Sequence, residues 1–190
     1  GFKVERLTVQ GALVLKEAEV KWTLSLTNSQ IGGELNAEMM RIERGFEVEG
    51  LTVQGALVLK KAQVYSLWLT NSQIGGELNA EEVKVEDGFK VERLTVQGAL
   101  VLKEAQVKGV VWLWHLGLSL TNSQIGGELN AEGVKVEGRF KLEGLTVQGA
   151  FVLKKAQVKG ELLLTRSQIG GELNAGEFKV RGGLKAVDLT

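Results

Sequence analysis

One eleven-residue phrase, V-x-G-x-L-x-L-x-x-A-x, runs through this chain from Val9-Gln10-Gly11-Ala12-Leu13-Val14-Leu15 to Val180-Arg181-Gly182-Gly183-Leu184-Lys185-Ala186. A unit this short cannot bury its own apolar residues, so the copies must stack to share one core. Units begin at Val9, Val20, Ile31, Ile42, Val53, Val64, Ile74, Val85, Val96 and Val107, then at Ile125, Val136, Val147, Val158, Ile169 and Val180. The unit at Val64 is one residue short and the unit at Val107 carries seven extra. Repetition throughout leaves no place for a domain boundary, so residues 1–190 read as a single solenoid.

The apolar positions pair at a spacing of two, as in Ala18/Val20 and Leu13/Leu15. That alternation marks strands with one buried face and does not fit a helix. Position 3 is glycine in every odd unit, from Gly11 to Gly171, yet Trp22, Arg44 and Asp87 occupy it in even units. A buried site would not accept arginine and aspartate without partners. Position 3 is therefore expected at a corner, where glycine permits a bend or a positive φ.

Charge patterning gives the coil length. Position 8 of the odd units reads Lys16, Glu38, Lys60, Glu81, Lys103, Glu132, Lys154, Gly176. A coil of two units stacks opposite charges about 4.8 Å apart, whereas a coil of four units stacks like on like. The expected fold is all-β: a parallel β-helix (β-solenoid) of about 22 residues per coil, about eight coils and roughly square section. The crossover preference of parallel strands favours right-handed winding.

The segments Ser29-Gln30-Ile31-Gly32-Gly33-Glu34-Leu35-Asn36-Ala37 and Ala156-Gln157-Val158-Lys159-Gly160-Glu161-Leu162-Leu163-Leu164 resemble a repeat of bacterial β-helical proteins, A-x-[IV]-x-G-x-L-x-L. Those proteins are similar to pentapeptide-repeat solenoids. The resemblance spans the chain and implies the fold. Some such proteins bear an oxidoreductase label, but no catalytic motif of that class accompanies the repeat here.

Chemistry is sparse. Lysine plus arginine equals aspartate plus glutamate, 23 against 23, which removes the basic footprint of a nucleic-acid binder. Without cysteine there is neither disulfide nor thiolate chemistry, and cell surface, extracellular space and bacterial cytoplasm all remain open as locations. No signal peptide is read within the chain, which opens on Gly1 in mid-repeat, and no segment is long enough for a membrane span. The single histidine, His115, cannot supply a zinc ligand set, and no cofactor or metal is expected. Ser29, Ser72, Ser123 and Ser167 read as small buried residues with an internal hydrogen bond, and most carboxylates fall in the charge ladders. An enzyme is not expected.

The aromatic residues are the candidate contact site. Trp22, Tyr65, Trp68, Trp112 and Trp114 all lie in units starting at Val20, Val64 or Val107, hence on one side of the rod in every second coil. Trp68 is expected to point outward between Glu47 and Lys90, and Trp22 to meet Arg44 in a cation–π contact. Trp112, Trp114 and His115 belong to the insertion, read as a tongue near residues 110–117. Two functions follow. One is a structural solenoid that self-associates or forms filaments through uncapped ends or flat faces, since no capping helix is read at either end. The other is a module that binds a glycan or protein partner through the tryptophan stripe.

Overall fold

The computed structural model describes residues 1–109 and 117–190 and is built of short parallel strands, with no helix among the described residues. Each coil carries four short faces. In the first coil they are Thr8–Val9, Leu13–Val14, Glu19–Val20 and Leu24–Thr27. Strands of one coil pair in parallel with their equivalents in the next: Thr8 lies opposite Gln30, Leu13 opposite Leu35, Glu19 opposite Arg41 and Leu24 opposite Phe46. The spacing is 22 residues, so the charge ladders gave the correct coil length. About eight such coils stack into the β-solenoid.

Burial follows the alternation. Within the strand Arg41–Glu49, Ile42, Phe46 and Val48 point inward and are buried, while Arg41, Glu43 and Glu49 are exposed. The inner columns alternate in size. Leu24, Phe46, Leu67, Phe89, Leu118, Phe140 and Leu162 stack in one of them, so each phenyl ring lies between two smaller leucines. Burying such columns, at about 25 cal/mol per Å² of apolar surface, is the main stabilising term.

Two kinds of corner turn the chain. At position 3 the chain bends as expected, but glycine there keeps a negative φ. Glycine is needed for close approach instead: a Cβ on Gly55 would meet the carbonyl group of Gly33 at 3.0 Å. Removing the side chain lets Gly33 N–H donate to Gly11 and Gly55 N–H to Gly33 in an unbroken stack, at 2.9 and 3.0 Å. The left-handed backbone falls at position 9, held by residues as varied as Glu17, Asn28, Met39, Lys61 and Arg93. Such a conformation costs a non-glycine residue on the order of 1 kcal/mol. Here the corner amides keep their inter-coil bonds, Asn28 N–H to Glu49 at 2.8 Å and Lys61 N–H to Glu81 at 2.9 Å.

The missing residue of the Val64 unit is absorbed at one point. Val64 lies opposite Ile42 and Ser66 opposite Gly45, so Tyr65 alone faces both Glu43 and Arg44. On its other side Tyr65 faces Glu86 and Asp87 in the same way. The extra residues fall between Val107 and Gly117. Gly117 itself opens the strand Gly117–Thr121 opposite Arg139, and the rest of the expected tongue lies outside the described residues.

Candidate functional site

Four rungs of the expected ladders close as ion pairs among the described residues. Lys16 reaches Glu38 at 2.9 Å, Lys60 reaches Glu81 at 2.7 Å, Lys108 reaches Glu86 at 2.8 Å and Lys159 reaches Glu137 at 2.7 Å. Hydrogen bonding from Lys16 holds the Glu38 carboxyl below the usual carboxylate range, and Glu38 in turn raises the Lys16 ammonium. Lys60 and Lys108 are raised by their bonds to Glu81 and Glu86 in the same manner. All these pairs face water, so each contributes little beyond fixing register.

The four position-10 serines are buried, and each hydroxyl makes the internal bonds that the repeat implied. Ser72 Oγ accepts from Leu51 N–H at 3.1 Å and donates to the Thr70 carbonyl at 2.8 Å. Ser29, Ser123 and Ser167 do the same for Leu7, Leu94 and Leu145. With both lone pair and proton engaged inside the wall, these hydroxyls are structural.

Of the aromatic stripe, Trp22, Tyr65 and Trp68 lie among the described residues, and all three are exposed, at 59, 44 and 46 %. Trp68 stacks between Glu47 and Lys90 in the ladder of the Leu24 face, as its register required. The Arg44 guanidinium sits 6.0 Å from the centre of the Trp22 ring, at the outer limit of a cation–π contact. Trp22 belongs to the first coil and Tyr65 and Trp68 to the third, with Glu43, Arg44 and Glu47 between them. The aromatic residues therefore share a side of the rod without merging into one patch. Trp112, Trp114 and His115 lie outside the described residues.

Beside Trp68 runs a shallow groove of about 290 Å³, lined by Phe89, Lys90, Ser119, Arg139 and Lys141. Its cations are already engaged: Lys90 by Glu92 at 2.7 Å, Lys141 by Glu143 at 2.5 Å and Arg139 by Glu161 at 3.0 Å. The groove offers an indole ring and a neutralised rim, which suits an uncharged, stacking ligand better than an anion. Nearby, the buried Asp87 Oδ1 has no hydrogen-bond partner among the described residues. No group of three or more histidine, aspartate or glutamate side chains among the described residues is placed to hold a metal ion.

A different surface carries no charge at all. The Thr8 face is written T-V-Q-G or Q-I-G-G in alternate coils: 8–11, 30–33, 52–55, 73–76, 95–98, 124–127, 146–149 and 168–171. Val and Ile point inward and are mostly buried, while Thr or Gln on one column and Gln or Gly on the other point out. In sequence, Thr8, Thr52, Thr95 and Thr146 alternate here with Gln30, Gln73, Gln124 and Gln168, which is not the flat threonine lattice of an ice-binding face, and no residue of this face is among the candidate contact residues. The signal available was the complete lack of Lys, Arg, Asp and Glu in eight equivalent segments of a chain that is 24 % charged.

Compared with protein families, with curated proteins and with solved structures, the chain matches none. The stacked coils themselves define its class, that of a β-helical repeat protein. Among the described residues no helix is long and apolar enough to cross a membrane.

Proposed function

We propose that this chain is a non-enzymatic structural β-solenoid that self-associates, through the edges of its terminal coils or through its flat faces. The observation that carries the reading is the regularity of the outward faces. The Thr8 face repeats T-V-Q-G and Q-I-G-G through eight coils without a charged residue, with its strands in register coil on coil. Flat, regular faces of this kind fit against a second copy of the same pattern. Negative-stain electron microscopy and sedimentation velocity across a concentration series test this. Assemblies that lengthen or grow with concentration are expected; monodisperse single rods at every concentration would refute it.

The exposed rings of Trp22, Tyr65 and Trp68 support a second reading, a glycan- or protein-binding module with Trp112, Trp114 and His115 as further contacts. Tryptophan fluorescence titrated with neutral polysaccharides is expected to shift in the native chain and not in Trp68→Ala or Trp112→Ala/Trp114→Ala. An unchanged spectrum in the native chain disposes of the glycan version.

A further inference from the structure

We propose that the uncharged Thr8 face is where two copies of this chain meet, side by side with their rods pointing the same way. The inference rests on the self-association reading and names its surface. Three observations carry it.

The first is charge. The Glu19 and Leu24 faces carry charged residues in their outward columns. The Leu13 face has a single uncharged outward column (Val14, Asn36, Val58 and their equivalents) between the Ala12/Glu34 and Lys16/Glu38 columns. A copy laid on any of these must match signs coil by coil or bury ions, whereas the Thr8 face has two adjacent uncharged columns. The Thr8 face presents only hydroxyls, carboxamides and bare backbone, which meet their own kind without repulsion. Gln and Thr ladders are the side chains that form dry, interdigitated contacts between paired sheets.

The second is shape. Gly32, Gly75 and Gly126 leave notches in one column, and they cannot be filled: a Cβ there would meet the backbone oxygen of Gln10, Gln54 or Gln97 at 2.2–2.3 Å. The second outward column carries glutamine in those same coils, at Gln30, Gln73 and Gln124. A two-fold axis parallel to the rods sets each column against the other column of the partner copy. Gln73 of one copy then fills the notch at Gly75 of the other, and Gln97 meets Thr95.

The third is the rims. The face is bordered on one side by Arg6, Arg93 and Arg166, of which Arg93 and Arg166 also pair with Glu92 and Glu143 of their own chain, and on the other by Glu34, Glu77, Glu128 and Glu172. The parallel axis brings the arginine rim of one copy beside the glutamate rim of the other. Antiparallel pairing would set arginine against arginine. The face is about 35–40 Å long and about 10–13 Å wide from strand spacing and rise, or roughly 400 Å² per copy. That is about half of a standard interface, so the pair should dissociate on dilution.

The test is sedimentation velocity of the full chain from low micromolar to millimolar, with Gln54→Lys/Gln97→Lys beside it. Both glutamines are exposed, and circular dichroism with thermal melting checks that the variant keeps its fold. A concentration-dependent dimer is expected for the native chain, with at least a tenfold weakening in the variant. The control Val14→Lys/Val58→Lys, which adds the same charge to the Leu13 face, should dimerise as the native chain does. Association that persists unweakened in Gln54→Lys/Gln97→Lys would overturn this face while leaving self-association standing. Monomers throughout for the native chain would overturn both. Orientation is read from a spin label on Gln10→Cys, in a chain with no other cysteine. A separation near the sheet spacing of ~10 Å plus the label arms supports the parallel pair, and one of ~30 Å or more, close to the rod length, overturns it.

Discussion

At Ser72 a single hydroxyl closes a gap that the left-handed corner opens in the backbone ladder. Leu51 N–H has no carbonyl at the expected place and donates to Ser72 Oγ, which in turn donates its own hydrogen bond to the Thr70 carbonyl. Ser72→Ala leaves a buried amide unpaired, and the expected cost is about 1–3 kcal/mol, read from urea denaturation. The surface ladders behave differently. Glu38 and Glu92 are held below the usual carboxylate range by Lys16 and Lys90, and Lys16, Lys60 and Lys108 are raised by their glutamates. A lowered carboxyl gives stability that is present above its unfolded value near 4.5 and lost as pH falls through the folded value. A raised ammonium gives stability that is present below its unfolded value near 10.5 and lost as pH rises through the folded value. Melting temperature should therefore be flat between about pH 6 and 9 and fall at both extremes, by only a few degrees because the pairs face water.

Among the elements, glycines at neighbouring repeat positions, the second and the third, differ in what surrounds them. Gly75 has the Gln54 carbonyl oxygen 2.3 Å from where a Cβ would stand, whereas Gly11, in the first coil, has nothing within 4 Å. Gly75→Ala must push one coil's backbone off the next and should destabilise by about 1–3 kcal/mol. Gly11→Ala should be neutral or stabilising by up to about 1 kcal/mol, because it restricts the unfolded chain. Equal melting curves for the two variants would show that coil stacking does not depend on this close approach. Coil length, strand faces and the roles of Ser29 and its equivalents were legible in the sequence, because burial and charge pairing repeat faithfully at those positions. The left-handed corner was not, because Glu17, Asn28, Met39 and Lys61 share no side-chain property; backbone stacking alone imposes their φ. The aromatic site was half legible. Register placed Trp68 correctly between Glu47 and Lys90 and set Trp22 two coils from it with Arg44 and Glu47 between them, while Trp112, Trp114 and His115 lie outside the described residues.

Along the whole rod, each coil contacts only its neighbours, so local stability should fall toward the ends. Leu13 and Leu78 make this measurable, since they occupy equivalent positions and donate equivalent bonds. Leu13 N–H reaches Glu34 at 2.9 Å and Leu78 N–H reaches Ala99 at 2.9 Å. They differ in cover: Leu78 is fully buried, and Leu13 is only partly so. Amide hydrogen exchange in dilute solution should be at least tenfold slower at Leu78. Identical rates would mean that the solenoid opens as one unit. Raising the concentration then separates the two modes of association. Meeting through the Thr8 face leaves Leu13 exchanging freely while it slows amides such as Gln97, whereas stacking end on end protects Leu13 first.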